Sequence, residues 1–326
     1  MSAEEQQHYV GFLKKHHDVF AWSYDKMSGL DPQVVVHHLG LPVNHCWFKQ
    51  PPRKMHPSHD AMVGAEVDKL IKTNFVKEVQ YPKWLANIVT VRKKNGQIRV
   101  CIDFWYLNRH CLKDDFPLPT IELLIDATAG FQTLSFMDGY SGYNQIRMAP
   151  EDEESTAFKA PQGTFCYRVM SFDLKNPGAT YQRVMHRIFK PILGTLVECY
   201  VDDLVVKSRQ YHDHLTDLEK VFGFLRSRHL KMNSLKCVFR VTSGKFLGFV
   251  VTYKGIEVDP EKNQSRQPDV PSEQPSRTPR FSGLLASIRR FIENLTGKCK
   301  PFSRLMKQGN VYLWDEECQA AFEEIK

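Results

Sequence analysis

Three aspartates stand where carboxylates are costly. Tyr200-Val201-Asp202-Asp203 lies between two apolar runs, Leu196–Tyr200 and Leu204–Val206. A charge in such a run needs a cation or hydrogen bonds to replace lost hydration. Adjacent strand residues point to opposite faces, so a tight turn is needed to bring both acids to one site. By itself the pair reads more readily as a solvent-facing turn, for which aspartate is well suited. Asp138 changes that balance. It ends another apolar strand, Leu134-Ser135-Phe136-Met137-Asp138, far upstream, and a parallel or antiparallel sheet would set it beside the turn. Such a cluster suits two divalent ions about 3.5–4 Å apart, one activating an attacking oxygen and one holding a triphosphate. Mg²⁺ fits, because it takes a few carboxylates together with substrate phosphates.

The elements that must position these acids follow from periodicity. Helical spacing predicts helices over 4–20, with Tyr9, Phe12, Leu13, Val19 and Phe20 on one face, and over 61–72, with Val63, Val67, Leu70 and Ile71 inward. Residues 27–59 read as irregular. Strands are expected at Ile88–Arg92 and Ile98–Phe104, joined through Asn95-Gly96, a strong hairpin signal. Thr120 is placed to cap a short helix over Ile121–Ala127. Thr164–Ser171 reads as strand, Pro177–Leu193 and 212–229 as helices, and Cys237–Val241 with Phe246–Thr252 as a hairpin turning at Ser243-Gly244. Residues 261–280 are rich in proline and charge, with Val270 as the sole aliphatic residue, so a flexible linker is expected. Apolar periodicity returns at Leu284, Leu285, Ile288, Phe291, Ile292 and Leu295, and again near Cys318–Ile325.

Ten ordered motifs then carry a resemblance: Val91–Gly96, Arg99–Phe104, Leu107-Asn108, Lys113–Pro119, Leu134–Asp138, Tyr140–Arg147, Thr156–Phe158, Gly178–Gln182, Tyr200–Asp203 and Gly244–Gly248. Together they resemble the reverse transcriptase of gypsy-type LTR retrotransposons, especially plant elements, within the retroviral polymerase superfamily. The resemblance implies an α+β right-hand polymerase fold with fingers, a palm of antiparallel sheet plus helices, and a partial thumb. On that pattern, 1–59 is an N-terminal extension, 60–113 and 146–176 are fingers, and 114–145 and 177–256 are palm. Residues 257–282 are then an irregular linker and 283–326 a helical thumb or connection remnant.

The same resemblance assigns roles. Asp138, Asp202 and Asp203 become the catalytic and metal-holding carboxylates for two Mg²⁺ ions, with Mn²⁺ as a possible substitute. Lys93, Lys94, Arg99, Gly139, Tyr140, Tyr143 and Phe172 would meet the incoming deoxynucleoside triphosphate, with Tyr143 excluding a 2′-hydroxyl. Gln182, Tyr200, Phe246, Leu247 and Gly248 would lie along an RNA or DNA template with its primer. RNA-dependent RNA polymerases are disfavoured by Tyr143 and Val201.

Three places depart from the family pattern. Trp105 and Tyr106 follow Asp103-Phe104 in place of a small polar or basic residue and an acid, and Asp173 replaces a glycine near the nucleotide pocket. The linker replaces the start of an amphipathic thumb segment. These favour a competing expectation, a degenerate fragment that at most binds template-primer. Protease, RNase H and integrase motifs are not found in the sequence.

Composition fits both readings. The formal net charge of +7 permits a polyanionic partner without demanding one. Eight scattered cysteines contain no Cys-x-x-Cys pair, which argues against zinc ribbons and thioredoxin-type redox motifs, and Cys101 and Cys199 read as reduced buried thiols. His16-His17 and His37-His38 lack a completing ligand pattern and read as surface residues. With no signal peptide or long apolar run, the expectation is an intracellular protein, cytoplasmic or in an element-encoded particle, with no membrane association and no stable protein partner.

Overall fold

Short apolar runs build the two largest sheets among the described residues, one of four strands and one of five. The computed structural model describes residues 3–44, 46–53, 57–92, 98–258, 289–301 and 314–325. The chain divides into two units, Met1–Leu247 with Val251–Ile256, and Gly248–Val250 with Glu257–Lys326.

Within the first unit, α1 (Ala3–Lys15) buries Tyr9 and packs Phe12 and Leu13 against the core. It ends earlier than its periodicity predicts: Val19 and Phe20 are buried from a 3-10 turn and a short strand. α2 (Pro57–Lys72) buries Val63 and Val67 fully, whereas Leu70 is half-buried and Ile71 exposed, so its inward stripe is narrower than expected. The five-stranded sheet contains β1 (Val76–Glu78), β2 (Ala86–Arg92), β3 (Ile98–Ile102), and two strands beyond the acidic motif of Asp138. Strands β2 and β3 pair antiparallel from Ile88↔Ile102 to Arg92↔Ile98, as the Asn-Gly signal predicts, although the turn residues lie outside the described residues. β3 stops two residues short of Phe104 because α3 (Trp105–His110) begins there.

Next come α4 (Ile121–Thr128) and β4 (Thr133–Asp138). Thr120 occupies the cap position, but its side chain makes no capping hydrogen bond. β5 (Phe158–Ala160) and β6 (Gly163–Tyr167) complete the five-stranded sheet in the order β1-β6-β5-β2-β3. α5 (Pro177–Phe189) buries Tyr181, Val184, Met185, Ile188 and Phe189 on one face and begins with Pro at its first position.

The four-stranded sheet is formed by β7 (Val197–Tyr200), β8 (Asp203–Ser208), β4 and β9 (Val238–Val241), in the order β7-β8-β4-β9 and antiparallel throughout. Met137, Leu204 and Val206 on one face join the main core with Leu218, Val221, Phe222 and Leu225 of α6 (His214–Ser227). The expected hairpin around Ser243-Gly244 does not form. Those residues lie inside β10 (Ser243–Phe246), and β9 pairs with β4 instead. A Cβ at Gly244 would stand 2.2 Å from the Phe136 ring, so the glycine lets β10 approach that ring. The chain turns at Leu247 and Gly248, both left-handed, before β11 (Phe249–Thr252) and β12 (Gly255–Val258).

The histidine pairs split, one inward and one outward, which corrects their reading as surface residues. His16 and His37 are buried; His37 Nδ1 lies 2.9 Å from the Thr180 hydroxyl, and burial lowers its pKa to about 4. None of the eight cysteines forms a disulfide; Cys199 is buried and Cys101 half-buried.

In the second unit, Cys318, Ala321 and Phe322 of a helix over Glu316–Ile325 pack against Ile292, Leu295, Cys299 and Trp314. The predicted linker at 261–280 lies outside the described residues, as do Leu284, Leu285 and Ile288.

Candidate active site

Register decides where the acids meet. In the antiparallel pairing of β4 and β8, Asp138 stands directly opposite Asp203, and Tyr200 of β7 opposes Asp203 from the other side. Cross-strand partners share a face, so the carboxylates of 138 and 203 project together. They line a cavity of about 240 Å³ with Phe136, Lys236, Lys245 and Phe246. Lys236 Nζ sits 3.1 Å from both carboxylate oxygens of Asp138. Nothing in the polar stretch Asn233–Cys237 flagged that lysine in advance.

The turn between β7 and β8 is unusual in its backbone. Val201 has φ +51°, a left-handed conformation that a β-branched residue resists by about 1–3 kcal/mol. Its N–H donates to Gln182 Oε1 at 2.6 Å, while Gln182 Nε2 donates to the Cys199 carbonyl at 3.1 Å. The Asp202 carbonyl accepts the Gly139 N–H at 3.2 Å, which ties the turn to the end of β4. Gln182 is 2% exposed with both ends of its amide engaged. Its side chain is thus spent on the β7–β8 turn.

Asp202 turns inward where Asp203 turns out. Asp202 Oδ1 and the Tyr181 hydroxyl are both buried and face each other, with no further hydrogen-bond partner. A Cβ at Gly142 would stand 2.0 Å from Asp202 Oδ1 and 2.9 Å from Tyr181 Oη, and one at Gly139 would stand 2.8 Å from Tyr181 Oη. Both glycines thus clear the space for this carboxylate. Burial, then the Asp138 and Asp203 charges, push the Asp202 pKa up to about 7, against the pull of Lys236. Partial desolvation in the concavity, then Asp138, also raise Asp203, although its side chain reaches solvent.

The remaining expected site residues divide. Tyr143 is half-buried, edge-on to Tyr181 at 5.7 Å, and burial, then Asp202 and Tyr200, raise its pKa to about 12. Tyr140 is half-buried edge-on to Tyr24 at 5.7 Å, and Tyr200 is half-buried. Phe172 is 53% exposed. Phe246 is buried against Phe136, with ring centroids 6.3 Å apart, at the cavity wall. Leu247 and Gly248 form the left-handed corner after it. Lys93 and Lys94 lie outside the described residues, and Arg99 is placed by its backbone opposite Val91. Asp173 Oδ2 accepts the Ile102 N–H at 3.0 Å, so this carboxylate secures the end of β3. Trp105 is 58% exposed, and Tyr106 stacks on Phe48 at 4.0 Å.

Among the described residues no three Asp, Glu, His or Cys side chains close on one point as a finished metal cage. The donor set nevertheless suits a hard divalent cation, which takes a few carboxylates and fills its remaining positions with water and phosphate oxygens. Two carboxylates face each other, a third is buried behind them beside the Tyr181 hydroxyl, and a lysine ammonium already lies on Asp138. The excess of negative charge calls for cations.

The family described as reverse transcriptase (RNA-dependent DNA polymerase) matches residues 91–251. The retrovirus-related Pol polyproteins from transposons opus and 412 of Drosophila melanogaster are 30% and 32% identical over 250 and 271 residues. Those stretches are 75% and 81% of this chain but 25% and 22% of the relatives. The transposon Tf2-3 polyprotein of Schizosaccharomyces pombe is 28% identical over 290 residues, 88% of this chain and 21% of that protein. The chain thus spans about a quarter of the curated relatives it matches. Among solved structures, the foamy viral protease-reverse transcriptase in complex with double-stranded DNA superimposes with TM-score 0.87 at 20% identity, covering 100% of this chain and 57% of that one. The same viral protein in complex with an RNA/DNA hybrid gives 0.81 at 20% identity, covering 100% of this chain and 44% of that one. The fold is accordingly the α+β polymerase fold.

Proposed function

We propose that this chain, a reverse transcriptase domain of the retrotransposon Pol polyprotein type, extends a primer by RNA-directed DNA synthesis. The observation that carries the reading is the register of β4 on β8, which sets Asp138 against Asp203 with Asp202 turned in behind them. The motif pattern supports a gypsy-type LTR element, plant-like, as the parent of this domain.

Asp138, Asp202 and Asp203 would hold two Mg²⁺ ions, with Mn²⁺ as a substitute. When bound, such ions supply charge neutralisation for nucleotidyl transfer and activate the primer 3′-hydroxyl. The chain's own residues do the rest. Gln182 and the Gly139 N–H keep the acidic turn in place, and Gly142 leaves room for the Asp202 carboxylate. Lys93, Lys94 and Arg99 meet the triphosphate of the incoming deoxynucleotide, flanked by Gly139, Tyr140 and Phe172. Tyr143 presents an aromatic face that leaves no space for a 2′-hydroxyl. Tyr200, Phe246, Leu247 and Gly248 support the primer end beside the cavity.

The partners are an RNA or DNA template with its primer and deoxynucleoside triphosphates, in keeping with the double-stranded DNA and RNA/DNA hybrid named for the foamy viral complexes. No helix among the described residues is long and apolar enough to cross a membrane, and the site of action is the cytoplasm or an element particle. On this reading the fingers are 60–113 and 146–176 and the palm is 114–145 and 177–256, after an N-terminal extension over 1–59. The same reading makes 257–282 a linker and 283–326 a thumb or connection remnant.

Primer extension on an RNA template with Mg²⁺ or Mn²⁺, run beside Asp202→Asn, tests this reading. Template-directed DNA synthesis that disappears in the variant supports it, and synthesis surviving the substitution defeats the metal assignment. A second reading, a decayed domain retaining only template-primer binding, is favoured by Asp173 at a glycine position. It predicts salt-sensitive binding of a primed template without extension.

A further inference from the structure

On the face of the four-stranded sheet away from Asp138 and Asp203, a chain of buried polar groups runs from β9 to α6. The Arg240 N–H donates to Ser135 Oγ at 3.1 Å. Ser135 Oγ lies 2.7 Å from His214 Nε2, and His214 Nδ1 lies 2.8 Å from Ser208 Oγ. Ser208 Oγ donates to Asp217 Oδ2 at 2.7 Å, and Asp217 is paired with Lys220. The protons of this chain are fixed by elimination. A hydroxyl has one proton to give. Ser208 gives its own to the carboxylate, so it accepts from His214 Nδ1–H. Nε2 of the neutral ring is then bare and accepts the Ser135 hydroxyl proton. Every member is satisfied, His214 is 0% exposed, and burial holds its pKa down near 4 despite Asp217.

Ser135 lies on β4 three residues before Asp138, and Ser208 lies on β8 five residues after Asp203. A slip of one residue between these strands would move one serine to the opposite face and separate the two acids together. We infer that His214, as the Nδ1–H tautomer bridging Ser135 and Ser208, is a positioning residue that locks the register on which the Asp138–Asp203 pair depends. This rests on the polymerase reading of those acids.

The test uses the full chain with His214→Phe, which keeps a ring but removes both hydrogen bonds, and Ser135→Ala, which cuts one end. Imidazole ¹⁵N NMR of the natural chain at pH 7 is expected to show Nδ1 protonated and Nε2 bare; the opposite tautomer or a doubly protonated ring overturns the proposal. In folded variants, kcat for nucleotide addition and the affinity for Mn²⁺ alone, read by electron paramagnetic resonance, are expected to fall about tenfold. The deoxynucleotide KM stays within about twofold, and the double variant is no worse than His214→Phe. Unchanged kcat and Mn²⁺ affinity in folded His214→Phe overturn the proposal while leaving the polymerase reading intact. A natural chain that neither polymerises nor binds Mn²⁺ defeats that reading and this one with it.

Discussion

The two ends of the β4–β8 pairing bury charge in opposite ways. At the far end, Lys207 is 2% exposed and donates to Glu198 Oε1 at 2.8 Å and to the Ala127 carbonyl at 2.6 Å, with its ammonium 4.7 Å above the Phe131 ring. That charge is neutralised inside the protein. At the near end, Asp138, Asp202 and Asp203 crowd together with Lys236 as the cation paired to Asp138, and Asp202 Oδ1 faces the neutral Tyr181 hydroxyl and no cation. A buried unmatched charge lowers stability unless a ligand completes it. The same sheet is therefore closed as structure at one end and left open for chemistry at the other.

The contrast is sharpest under substitution. Asp138→Asn should lower RNA-templated primer extension by about three orders of magnitude while leaving the melting temperature in chelator equal or higher, since it relieves like-charge crowding. A variant that loses extension only because it unfolds would break the comparison. Lys207→Ala should do the reverse. Stranding Glu198 costs on the order of 3–5 kcal/mol in denaturant unfolding, with kcat of the remaining folded enzyme unchanged. Next in size, Gly142→Ala drives a methyl into the space of Asp202 Oδ1, and a displaced carboxylate should reduce kcat about 100-fold with little effect on primer-template affinity.

The smallest effect is a pH dependence. Asp202 titrates at about 7 in the folded chain, above its ordinary value near 4. Between those values the folded state holds a proton that the unfolded state has lost, so stability falls as pH rises from about 4 to 7. In chelator the melting temperature should drop by on the order of a few degrees across that window, with Asp203 adding in the same direction. The Asp202→Asn chain should show a shallower slope. An identical slope would mean that the acidic end is not the source.

Sequence made some of this legible for definite reasons. The Leu134–Asp138 and Leu204–Val206 runs are apolar enough to demand burial, so an acid at the tip of each had to share an edge once the strands paired. The β2–β3 hairpin followed from Asn95-Gly96, and the α5 stripe from residues spaced by three and four. Long-range partners were not legible. Lys236 meets Asp138 only because β9 docks on β4, and a lysine in a polar loop looks like any solvated lysine. Nor does local spacing reveal that the Gln182 amide is spent on Val201 and Cys199. Ser243-Gly244 resembled a turn, yet the glycine is there for the Phe136 ring. His16 and His37 were misjudged since a histidine's burial depends on distant neighbours such as Arg226 and Thr180.

The ammonium resting on Asp138 has a consequence for how such a molecule begins its life. Part of the repulsion among the acids is held in check by the chain itself, so, on the metal reading proposed above, reaching the native shape need not wait for divalent ions. Maturation and arming become separate events: a newly made copy short of divalent ions would sit idle, intact and ready, until the ions arrive.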